Sequence, residues 1–179
     1  MKKALLLVAG FVCAMAAWAS DYTGQLTVTV NDVTNQMSAK INLVENGGKY
    51  NFSLKNFVLD AGDGLMIGVG NIELNDLDAV AAYGVKTINI TQDIMITQGD
   101  DPNVDQWIGP AISPVPVVLT ARFNNQVLSV DIDIDMTNTL GQIIKVTFVG
   151  NTPAGDVNGD GKINVSDVTN LINIILGVI

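Results

Sequence analysis

The chain has 179 residues, 48% hydrophobic, 15% charged and 6% aromatic, with 9 basic against 18 acidic side chains and no histidine. Without an imidazole there is no Ser-His-Asp or Cys-His nucleophilic site and no His-ligated zinc or haem. A formal charge of -9 with no cluster of Lys or Arg argues against nucleic acid or an anionic membrane surface as partner, and favours cations or neutral ligands.

Residues 1–19 open with Lys2-Lys3, continue through an apolar run over 4–16 and end in Ala17-Trp18-Ala19. These are the basic, apolar and small-x-small parts of a cleavable secretory signal peptide. The run is too short for a comfortable membrane span, and no other stretch approaches the roughly 20 apolar residues that a span needs. The pattern therefore predicts an exported protein, secreted, periplasmic or cell-surface, with no transmembrane segment and with cleavage after Ala19. Cys13 lies in the apolar run, so the mature chain has no cysteine and forms no disulfide.

Residues 20–150 alternate apolar and polar side chains with the period of half-buried strands. The runs are Leu26-Val28-Val30, Ile41-Leu43, Tyr50-Phe52-Leu54, Ile67-Val69 on to Ile72-Leu74, Ile88-Ile90 on to Ile94-Ile96, Val115-Val117-Leu119, Leu128-Val130-Ile132-Ile134 and Ile144-Val146-Phe148. Asn- and Gly-rich turns at 45–48, 60–64 and 124–125 separate several of them, as tight hairpins require. Only a weak helical pattern at 77–83 interrupts the strands, so nothing supplies the crossovers of a parallel sheet. The expected fold is all-β: an eight-stranded up-and-down antiparallel barrel, with a sandwich as the rival.

Val28, Ile41, Phe52, Val69, Ile90, Leu119, Ile132 and Val146 fall on the inward positions of this barrel. Any molecule held inside should be small and hydrophobic, or carry one polar end toward a mouth near Trp107. The same residues also serve as the core of a filled barrel. Asp131, Asp133 and Asp135 share one side of a strand, which predicts a solvated outer face. A carboxylate pair that hydrolyses a glycosidic bond wants a cleft with aromatic residues to stack the sugar, and aromatics are sparse, so no catalytic residue is assigned and the chain is not expected to be an enzyme.

Residues 151–155 have the composition of a linker, and after them the period changes. Asp156-Val157-Asn158-Gly159-Asp160-Gly161-Lys162-Ile163-Asn164-Val165-Ser166-Asp167 spaces oxygen ligands as in an EF-hand loop. Asp156, Asn158, Asp160, the Lys162 carbonyl, Asn164 and Asp167 are the expected Ca2+ ligands, with Ile163 buried as the loop's anchor. Affinity is expected on the order of 10 to 1,000 micromolar, as in extracellular modules. Val168, Leu171, Ile172 and Ile175 then recur at helical spacing up to a stop at Gly177.

Residues 156–179 resemble one dockerin repeat, a calcium loop followed by a single helix, where dockerins carry two. The resemblance implies calcium-dependent folding and docking onto a cohesin-like protein or a second repeat. Through Gly48-Lys49-Tyr50-Asn51-Phe52-Ser53-Leu54-Lys55-Asn56-Phe57, Val69-Gly70-Asn71-Ile72, Trp107-Ile108-Gly109-Pro110 and Leu140-Gly141-Gln142, residues 20–150 resemble the calycin-like, lipocalin-related barrel domains of secreted Bacteroidetes-type proteins. The combined expectation is a secreted, non-enzymatic binding protein with a barrel for a small apolar ligand and a dockerin-like tail. The alternative is an assembly module with a filled barrel, attached to a cell-surface or extracellular complex through that tail.

Overall fold

The computed structural model describes residues 18–60, 65–158 and 162–178. The signal-peptide pattern up to residue 17, the core of the expected 60–64 turn, and loop residues Gly159, Asp160 and Gly161 lie outside the described residues.

Among the described residues nine antiparallel strands form one curled sheet: β1 (Trp18–Val30), β2 (Val33–Asn46), β3 (Lys49–Asp60), β4 (Met66–Leu77), β5 (Val80–Ala82), β6 (Val85–Ile94), β7 (Val115–Phe123), β8 (Val127–Met136) and β9 (Gln142–Asn151). Trp18 and Ala19, inside the expected signal, pair with Glu45 and Val44 at the start of the β1–β2 ladder. Two-residue turns at Asn31–Asp32 and Gly47–Gly48 place both residues at positive φ, which matches the twist of the flanking strands. At the β7–β8 turn, Asn124 Oδ1 accepts from the Gln126 and Val127 amides, so a side chain replaces a backbone turn bond.

The order β4-β3-β2-β1-β9-β8-β7-β6-β5 joins the two halves through the β1–β9 ladder. Two expectations change here. The strands number nine, because 77–83 holds the end of β4 and the short β5 where a weak helix was expected. The sheet is also a curled half-barrel and not a closed ring: β6 pairs with β5, leaving β4 and β5 as edges. The β6–β7 connection, with a helical turn α1 (Gly109–Ile112), spans the opening. Asn71 and Thr97 exchange backbone bonds of 2.8 and 3.1 Å, and the Ile108 amide donates to the Gly68 carbonyl at 2.8 Å.

Gly70, at φ 126, carries a register shift between β3 and β4. That bulge lets Ile67, Val69, Ile72 and Leu74 all face inward although their numbering changes parity.

The helix α2 (Val165–Leu176) begins at Asn164, whose side chain accepts from the Ser166 amide, and ends at Gly177 in the left-handed region. Its apolar residues Val168, Leu171, Ile172 and Ile175 are exposed.

Candidate functional site

Inside the curled sheet lies a cavity of about 510 Å³. Its wall is built from alternate residues of the long strands, among them Leu26, Val28, Ile41, Phe52, Leu119, Ile132 and Val146, together with Ile108 and Ile112 of the β6–β7 connection. Seven of the eight expected inward positions line it. The eighth, Ile90, lies opposite Leu119 on the same face and packs against the core. The wall's polar side chains are Asn31, Asn35 and Gln142, all at the end that carries the β1–β2 and β8–β9 turns. Asn31 ties that end together, donating its amide to the Ile143 carbonyl and accepting from the Ile143 amide at Oδ1, both at 3.3 Å.

The opposite end is filled. Tyr22, Leu128 and Phe123 are buried there, Phe148 closes the cavity off from them, and the Phe123 ring meets Tyr50 edge-on with centroids 5.1 Å apart. The Tyr22 hydroxyl donates to the Asn124 carbonyl at 2.6 Å. Lys86 donates to Glu45 Oε2 at 2.9 Å and to the Tyr50 hydroxyl at 2.5 Å, while that hydroxyl donates to Glu45 at 2.7 Å. The hydrogen bond from Lys86, then that from Tyr50, hold the Glu45 carboxyl below its ordinary value. Burial alone would push the Lys86 ammonium down, but its bonds to Tyr50 and Glu45 outweigh that and raise it. Burial pushes the Tyr50 and Tyr22 phenols up. This polar lid was not legible in the sequence as a unit: Glu45 and Tyr50 pair across one hairpin turn, but Lys86 comes from a strand distant in the chain.

Trp107 is not part of the cavity wall, which corrects its expected place at the mouth. Its indole packs on Gly99 and Gly68, where an added Cβ would run into the ring, and so it covers the seam beside β4. Asn56 and Asn71 brace the same seam. Asn71 Oδ1 accepts from the Asn56 amide at 2.8 Å and its Nδ2 donates to the Gln98 carbonyl at 2.9 Å; Asn56 Nδ2 donates to Asp100 at 2.7 Å. Asp131, Asp133 and Asp135 are exposed; Asp131 and Asp133 lie 3.8 and 3.9 Å from Arg122 and Lys145.

In the C-terminal loop, Asp156 and Asp167 are buried, Asn158 is half-buried, and Lys162 and Asn164 are exposed; Asp160 is outside the described residues. Asp167 Oδ1 accepts from the Val157 and Asn158 amides at 2.8 and 3.3 Å, and Oδ2 from the Asn164 amide at 2.7 Å. The Asn164 amide first, with the other two, holds this carboxyl below its ordinary value. Positions 157–158, 164 and 167 are thereby brought together, and the hard oxygen donors of this loop suit Ca2+. Among the described residues no three His, Cys, Asp or Glu side chains converge on one point. Ile163 is 63% exposed and rests beside Gly155, so among the described residues it is not buried as the loop's anchor.

A family model for the calycin-like beta-barrel domain matches residues 19–151. The crystal structure of a candidate outer membrane protein from Bacteroides fragilis superposes with a TM-score of 0.53 at 13% identity, over 74% of this chain and 50% of that one. The chain thus spans half the length of that protein, and the likeness concerns the fold. No curated protein matches the sequence. Among the described residues no helix is long and apolar enough to cross a membrane.

Proposed function

The chain belongs to the calycin-like β-barrel domain family, and on that premise we propose that it is a non-enzymatic binding protein holding a small apolar molecule in the hollow half of its barrel. The carrying observation is the 510 Å³ cavity with its almost wholly apolar wall, a size within the usual range of ligand pockets. A ligand that hides about 300 Å² of apolar surface gains about 7.5 kcal/mol. Before orientation costs, that corresponds to a Kd in the micromolar range. Asn31, Asn35 and Gln142 supply hydrogen bonds for one polar end, so the ligand should be an apolar body with a single polar terminus.

The test is a fluorescence titration with N-phenyl-1-naphthylamine, whose own emission rises in apolar surroundings. The expected result is saturable uptake by the folded chain that long-chain alcohols displace; probe taken up without saturation, or not displaced, contradicts it.

The signal-like residues 1–19 support export, with the barrel as the mature ligand-binding domain and the loop and helix as a dockerin-like appendage. Ca2+ would bind through Asp156, Asn158, Asp160, the Lys162 carbonyl, Asn164 and Asp167. In that site the metal would supply charge that closes the loop onto α2. Calorimetry with CaCl2 should give one site that Asp156→Ala abolishes. No heat at millimolar Ca2+ would end this part of the proposal.

A further inference from the structure

β2 and β3 pair only over Asn42–Asn46 with Lys49–Ser53. Beyond that point β2 continues on β1 alone and β3 on β4 alone, so the wall splits along its length. Burial records the split: on the inward face of β2, Leu43 and Ile41 are buried but Ala39, Met37 and Asn35 only half-buried. The inward face of β3 changes the same way, from Tyr50, Phe52 and Leu54 to the half-buried Phe57 and Leu59. A cleft of about 650 Å³ occupies the split on the outside. Leu54 and Phe57 line both this cleft and the inner cavity, so a single layer of side chains separates the two.

We infer that this slit between β2 and β3 is the entrance by which an apolar ligand reaches the cavity, with Phe57 as its gate. The inference rests on the binding function proposed above. Two features favour an entrance over a site for an added strand. The β3 side is broken by a bulge at Asn56, whose φ is 52, and exposed Lys40 and Lys55 stand on the two sides; both devices blunt strand addition. Ala39 lines the same cleft as Phe57, and its small side chain leaves the gate room to swing. Ala39 and Met37 lie on the slit and are not part of the cavity wall, so they can be enlarged without rebuilding the ligand site.

The test is stopped-flow mixing of the full chain with N-phenyl-1-naphthylamine, alongside equilibrium titration. Ala39→Trp, with Met37→Trp as a second variant should the first fail to fold, is expected to slow association and dissociation together by about tenfold while Kd stays within about threefold. Leu65→Trp, at the turn end of the barrel, should leave both rates unchanged. Unchanged rates in the folded slit variants, or slowing in Leu65→Trp instead, would overturn the entrance while leaving the binding function standing. A wild-type chain with no saturable uptake would overturn both.

Discussion

The two ends of the barrel are built from the same alternating strands yet end in opposite states. Along β8, Leu128 and Val130 are buried and Ile132 and Ile134 only half-buried; along β9, Phe148 is buried and Val146 and Ile144 are not fully so. At one end Tyr22, Tyr50, Phe123 and Phe148 supply aromatic volume, and a Lys86–Glu45–Tyr50 lid satisfies the polar groups. At the other, most inward side chains are aliphatic, with Phe52 and Phe57 on one side only, and the space that further rings would occupy is left as the cavity. Inward polarity alone therefore does not decide whether a barrel is filled. The volume of each inward side chain, position by position, decides it.

The sharpest way to break this contrast is to truncate one residue at each end. Phe123→Ala removes a buried ring that does not border the cavity and should cost about 3–5 kcal/mol, whereas Ile144→Ala, which already borders empty space, should cost about 2 kcal/mol or less. Urea unfolding monitored by circular dichroism gives both values. Equal losses would mean that the hollow half is as tightly packed as the filled one.

Removing the lid's cation should have a smaller effect. Lys86→Met is expected to lower stability by about 1 kcal/mol, since both Lys86 and Glu45 are more than a third exposed and solvent screens the pair. The smallest effect is on pH dependence. Glu45 is held below its ordinary value of 4.5, so its contribution is complete above that value and is lost as pH falls through the depressed one. The stability gap between wild type and Glu45→Gln should therefore narrow between about pH 6 and about pH 3. A gap that widens toward acid would show that the lid does not favour the ionised carboxylate.

Strands with unbroken alternation were legible in the sequence because one face of each meets the core; β1, β7 and β8 are examples. So were the turns at Gly47–Gly48 and Asn124–Asn125, which depend on local chemistry. What escaped depends on contacts between distant residues. β5 is too short to show a period, and the seam that Asn56, Asn71 and Trp107 brace joins three separate segments. The hollow-versus-filled distinction needs a volume count across strands. The stop of α2 was visible from Gly177, because a C-cap is local. The exposure of its apolar face was not, since periodicity shows which residues share a face and not what covers them.

The central claim is that the aliphatic half of the barrel is a ligand cavity. Its most direct test is to titrate wild type and Val146→Phe side by side with N-phenyl-1-naphthylamine. Val146 lines the cavity, and the added ring should fill space without overpacking, so the variant should keep its unfolding midpoint and lose probe affinity by about tenfold or more. Undiminished binding by a folded Val146→Phe would place the probe elsewhere and contradict the account.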